Sequence, residues 1–157
     1  MTVKLIGSLI FGVAGVIMAI SYRRFQLKKL SSIDGFISLI FYIKGQVECF
    51  ARPRLDILST LPAEIFCACN CPHGAQTLEE LVDASRIYLD EESLRLVSSF
   101  ASEFGSTFRD EQLRRCDYYI SALGEERRRV FTSVNSKSRA GSALWICACI
   151  GIIILLW

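Results

Sequence analysis

The chain has 157 residues, enough for one domain, and its 52% apolar content and mean hydropathy of +0.36 are high for a protein that meets water on every side. Its net charge of +2 hides an uneven distribution: residues 30–126 hold eight basic and all sixteen acidic residues, a net of −8, while the remaining basic residues crowd toward the two ends. A middle this acidic makes a poor nucleic-acid partner, and neither a Walker-type loop nor a GxGxxG turn is present to cradle a nucleotide.

Residues 5–22 carry no charge over 18 positions. As a helix they would reach roughly 27 Å, close to the hydrocarbon thickness of a bilayer, with every backbone group satisfied inside the segment. A cleaved signal peptide needs a basic leader. Here only Lys4 and the amino terminus supply charge, and the stronger cluster (Arg23, Arg24, Lys28, Lys29) follows the apolar run. Residues 1–22 are therefore expected to be a retained transmembrane helix. Gly7, Gly12 and Gly15, with Ser8 and Ala19, place small residues where helices can pack closely.

Residues 23–51 contain no proline and read as a long helix continuing from that span. Leu30, Ile33, Ile37, Ile40, Val47 and Phe50 recur at three or four residues apart from a gap at Lys44, and Phe36, Phe41 and Ile43 widen the stripe. After Pro53, the residues Leu55, Ile57, Leu58 and Leu61 suggest a short helix stopped at Pro62. A cysteine-rich segment follows, and Pro72, His73 and Gly74 mark a turn. Thr77 with Glu80 fits a capping box, opening a helix that bears Leu78, Leu81, Val82 and Leu89. Leu94, Val97, Phe100, Ala101 and Phe104 define another, halted by Gly105. The paired acids Glu79–Glu80 and Glu91–Glu92 fall at helix starts, where they complement the macrodipole.

The last helix begins near Thr107. Leu113, Cys116, Ile120, Leu123, Val130 and Val134 keep a 3–4 spacing, with Arg127 filling one vacant core slot. This stripe is expected to pair antiparallel with that of residues 23–51, with the shorter helices capping the sides. Residues 140–157 are again uncharged for 18 positions and read as a second transmembrane helix. Arg23, Arg24, Lys28 and Lys29 follow the first span, and Arg127, Arg128, Arg129, Lys137 and Arg139 precede the second. Positive charge beside a span stays cytoplasmic, so residues 23–139 are expected inside and both termini outside, with this basic collar on anionic lipid headgroups. The fold class is all-α: a cytoplasmic helical bundle flanked by two membrane helices.

Cys67, Cys69, Cys71 and His73 offer three thiolates and an imidazole, which leaves a metal- or redox-responsive membrane sensor as the alternative function. Their alternating spacing is unlike zinc sites, which place two or more residues between paired cysteines, and small apolar cysteines filling a helix end account for them equally. The spans hold only Ser8, Ser21 and Ser142 as polar groups, and no nucleophile–base pair surrounds His73. The expectation is a protein that is not an enzyme, with no catalytic, cofactor or metal residue and no small-molecule substrate.

The stretch FASEFGSTFRDEQ, residues 100–112, places Phe100, Phe104, Gly105 and Gln112 as in a Phe-Gly-x-x-Leu-Gly segment followed by a polar stretch and a glutamine. With the two spans and the distance from Gly105 to the carboxyl end, it resembles the stage III sporulation protein AB family of endospore-forming bacteria, over nearly the whole chain and best in the final third. Ala101 departs from the first glycine of the pattern and Phe108 from an expected aspartate. The family is similar to the F-type platform protein of type II secretion and type IV pilus machines, whose cytosolic domains are small helical bundles. The resemblance implies a place in the mother-cell membrane facing the forespore, within a channel built with other stage III A sporulation proteins. It further implies that the bundle docks a secretion-type ATPase, the AA member of that set.

Overall fold

The computed structural model describes the backbone of residues 2–50 and 54–156 and the side chains of residues 13–49 and 57–134. It contains α1 (Thr2–Phe50), α2 (Arg54–Ser59), α3 (Ala63–Ala68), α4 (Leu78–Ser85), α5 (Glu91–Glu103) and α6 (Arg109–Leu156), and no strand among the described residues. The all-α expectation holds. Contacts divide the chain into a unit of residues Lys28–Val130 and a second unit of Met1–Leu27 with Phe131–Trp157.

In the first unit, α1 and α6 lie antiparallel, as their polar contacts show. Arg127 grips Asp34 through both carboxylate oxygens, one bond at 3.2 Å, Lys44 reaches Asp117 at 2.7 Å, and Arg109 donates to the backbone carbonyls of Val47 (3.2 Å) and Glu48. The last contact occupies carbonyls in the final turn of α1, which has no intrahelical donors for them. Ile33, Phe36, Leu39, Ile40, Ile43 and Val47 of α1 are buried against Cys116, Tyr119 and Leu123 of α6 and the inner faces of the short helices. Leu78, Leu81 and Val82 come from α4, and Val97, Phe100 and Ala101 from α5.

Several side chains differ from the expected stripes. Phe41 is 66% exposed, whereas Leu39 is buried, because the true seam of α1 lies through residues 36, 40, 43 and 47. Leu89 is buried but lies beyond the end of α4, which stops at Ser85. Arg127 fills no core slot. It is half-exposed on Asp34, and the inward position next to it is taken by Glu126.

Burial on α1 begins at Ser32. From residue 13 to residue 31 no side chain is buried, although Val13, Val16, Ile17, Met18 and Ile20 are all apolar. Among the described residues no helix is long and apolar enough to cross a membrane. The second expected span, residues 140–157, and residues 1–12 of the first lie outside the described side chains.

Candidate functional site

Two parts of the bundle stood out in the sequence, the segment at residues 67–73 and the stretch at residues 100–112. In the first, α3 ends at Ala68 and the chain reverses through Asn70, whose φ of 57° is left-handed. Its side-chain Nδ2 donates to the buried Ser32 Oγ at 2.6 Å, and the buried Ser85 hydroxyl donates to the Cys69 carbonyl. Together they fasten the reversal to α1 and α4. Gly35 makes the approach possible, since a Cβ there would stand 2.8 Å from the Ala68 carbonyl carbon.

The cysteines in this reversal do not converge. Cys69 is fully buried, Cys67 is exposed, and Cys71 donates from Sγ to the Gly74 carbonyl at 3.1 Å. Burial pushes the Cys69 thiol up to about 12, so it stays protonated and unreactive at neutral pH. His73 is exposed at the rim of an open cleft of about 550 Å³ with Phe66, Gln76 and Glu80. Among the described residues no three His, Cys, Asp or Glu side chains are grouped as a metal requires. The described residues thus give the metal form of the sensor reading of Cys67, Cys69, Cys71 and His73 no ligand group, and the segment is a packed reversal. The capping box that follows is also shifted. Thr77 Oγ1 accepts from the Glu80 amide at 3.2 Å as expected, but the Glu80 carboxylate reaches back to the amide of Gln76.

The second stretch forms the corner between α5 and α6. Phe100 stacks on Phe104 with centroids 5.6 Å apart and meets Tyr119 edge-on at 5.4 Å. Gly105 turns the chain at φ +84°, which a side chain would oppose. The buried Gln112 carbonyl oxygen accepts from the Gly105 amide at 3.1 Å and from the Thr107 hydroxyl at 3.3 Å, so one side chain satisfies both ends of the turn. Glu103 completes the corner by accepting from Arg115 at 2.8 Å and from the Tyr119 hydroxyl at 3.1 Å. Burial, and next the bond to Glu103, push the Tyr119 phenol up to about 12. Phe100, Phe104, Gly105 and Gln112 are thus four parts of one joint, which explains their spacing.

A family model described as stage III sporulation protein AB matches residues 73–157, more than half of the chain and including that joint. The chain belongs to this family. It is therefore a sporulation-related protein, and the matched range begins at His73, later than the nearly full-length resemblance expected from the sequence. No curated protein and no solved structure matches the chain.

The bundle of this family member carries exposed charge. Glu64, Glu79, Asp83, Glu91, Asp110 and Glu125 are exposed on α3 to α6. The basic residues near residue 28 and residue 128 are more occupied than the sequence implied. Lys28 lies over the Tyr88 ring at 5.0 Å, Arg127 holds Asp34, Arg129 meets Glu126 at 3.1 Å, and Lys29 and Arg128 also have partners. Lys137 and Arg139 lie outside the described side chains. Position-by-position charge could not reveal the contacts of Lys28 with Tyr88 and of Arg127 with Asp34, because those partners are distant in sequence.

Proposed function

We propose that this protein is a non-enzymatic, two-pass membrane component of a sporulation channel whose cytoplasmic bundle is a docking platform for a secretion-type ATPase. The observation that carries the membrane part is the run of apolar side chains at residues 13–20 of α1, none of which is buried. An unburied apolar run of this kind, within an 18-residue charge-free stretch, is what lipid would cover. The exposed Arg23 and Arg24 just beyond it favour retention of residues 23–139 in the cytoplasm and contact with anionic lipid.

The exposed acids of the bundle support docking to a basic surface, where complementarity would act on encounter and register more than on affinity. The family's likeness to the F-type platform supplies the candidate partner, the AA-type ATPase among the stage III A proteins. Two membrane roots would hold the bundle in one orientation, so that motion in the ATPase could be passed to the membrane. In this reading the protein lies in the mother-cell membrane facing the forespore.

Crosslinking of the full-length chain in sporulating cells, followed by pull-down, is expected to recover that ATPase, and Glu79→Lys with Asp83→Lys to reduce both recovery and spore yield. The docking proposal fails if no ATPase is recovered and the charge reversals leave sporulation intact. The membrane proposal is tested separately: the chain should resist carbonate extraction, and a reporter fused beside Glu91 should report the cytoplasm.

A further inference from the structure

The turn between α4 and α5 is held at both ends and pushed outward in the middle. Ser85 and Leu89 are buried, and the Ser85 hydroxyl donates to the Cys69 carbonyl. The Arg86 amide donates to the Asp83 carbonyl at 3.2 Å and the Tyr88 amide to the Ser85 carbonyl at 2.9 Å, which closes the turn. Between these anchors Ile87 is 73% exposed. A single exposed isoleucine is ordinary on a protein surface, so its place in the bundle decides what it means.

Lys28 fixes that place. Its Nζ lies 5.0 Å from the centroid of the Tyr88 ring and 3.5 Å from the Tyr88 phenol oxygen. The turn therefore stands at the end of the bundle where α1 enters it, since the bundle begins at Lys28. Lys28 follows Tyr22, the last residue of the charge-free stretch, by six positions in the same helix. At 1.5 Å of rise per residue those positions advance roughly 9 Å along α1. The headgroup layer on each side of a bilayer is roughly 5–8 Å thick. A chain anchored through residues 5–22 thus brings Lys28 to the outer edge of that layer, where its long side chain can reach the lipid phosphates. The turn is suited to the same surface: Arg86 is exposed next to Ile87, and the half-buried Tyr88 has an apolar ring with a polar tip. The two acids that flank it, Asp83 and Asp90, belong to the adjoining helices and not to its tip.

We propose that residues 86–88 make a third contact with the membrane, in which Ile87 enters the headgroup region of an anionic bilayer while Arg86 and Lys28 meet its phosphates. Apolar, aromatic and basic side chains side by side are what an interfacial segment needs, because burial of the first and attraction of the last act together. The inference rests on the membrane reading of residues 5–22 and goes beyond it. A helix through the bilayer does not by itself fix which way the bundle behind it leans; a turn seated on the surface does.

The test uses the full-length chain reconstituted in vesicles of phosphatidylcholine and phosphatidylglycerol, carrying Trp145→Phe and Trp157→Phe so that one introduced tryptophan reports at a time. Ile87→Trp is compared with Phe108→Trp, because Phe108 is 92% exposed and its neighbour Arg109 binds the far end of α1 at Val47. Lipids brominated high on their chains should quench the emission from position 87 and leave that from position 108 unchanged. The quenching should weaken when phosphatidylglycerol is omitted, and in Arg86→Glu. Chain released by carbonate overturns the membrane reading and this inference with it. Chain that is retained but shows the same emission change at both positions overturns this inference alone. So does shielding of position 87 that follows protein density and not brominated lipid, which would mark a second copy on the turn. Should Ile87→Trp fail to fold, Tyr88→Trp in the same background gives the same readout.

Discussion

Residues 13–22 and residues 32–47 belong to the same helix and are both rich in apolar side chains, yet they meet different surroundings. In the second stretch Ile33, Phe36, Leu39, Ile40 and Ile43 are each at most 1% exposed, and burial is one-sided, with Ser38 and Phe41 facing outward. In the first, Val16 and Ile17 are 60% and 59% exposed, and apolar residues go all the way round. Periodicity separates the two: a one-sided stripe names a partner within the chain, while an all-round apolar surface requires a partner outside it. Lipid is the partner we propose.

The sharpest way to break this comparison is to place the same charge in both stretches. Ile40→Asp buries an unpaired carboxylate and should destabilise the bundle by about 4 kcal/mol or more, read from urea unfolding by the tyrosine signal. Four of the five tyrosines lie within residues 28–130, so that signal reports the bundle. Gly35→Ala should cost about 1–3 kcal/mol, because the added methyl meets the backbone of Ala68, not a side-chain end that can turn away. Gln112→Ala leaves the Gly105 amide without its acceptor and should cost about 1–2 kcal/mol. Ile17→Asp stands at the small end, with about 0.5 kcal/mol or less on bundle unfolding. Its effect should appear instead as chain released by carbonate. An Ile17→Asp variant that unfolded the bundle would show that the two stretches of α1 are not independent.

Much of the bundle was legible because local chemistry and burial agree there. Thr77 begins α4, Gly105 ends the α5 segment, and the α1 stripe is read from spacing alone. The resemblance in residues 100–112 was readable for a related reason, since its spacing is that of one compact turn. The misses are places where a distant residue decides. An arginine at position 127 fits an amphipathic slot on paper, but Asp34 draws it outward, and Glu126 goes inward. Cysteines at positions 67, 69 and 71 look like ligands in a line of sequence. Cys67 and Cys69 stand two residues apart at the end of α3 and so on different sides of it, Cys69 in the core and Cys67 at the surface, and the left-handed Asn70 turns the chain before Cys71.

Arg109 opens one further possibility. Its acceptors at the end of α1 are main-chain oxygens of Val47 and Glu48, which no side-chain exchange in α1 can remove. Position 109 is therefore a single handle on the end of the helical hairpin farthest along α1. Arg109→Met would unfasten that tip while leaving every buried apolar residue in place, which makes it the means to ask whether the protein works as a stiff rod or as a pair of prongs.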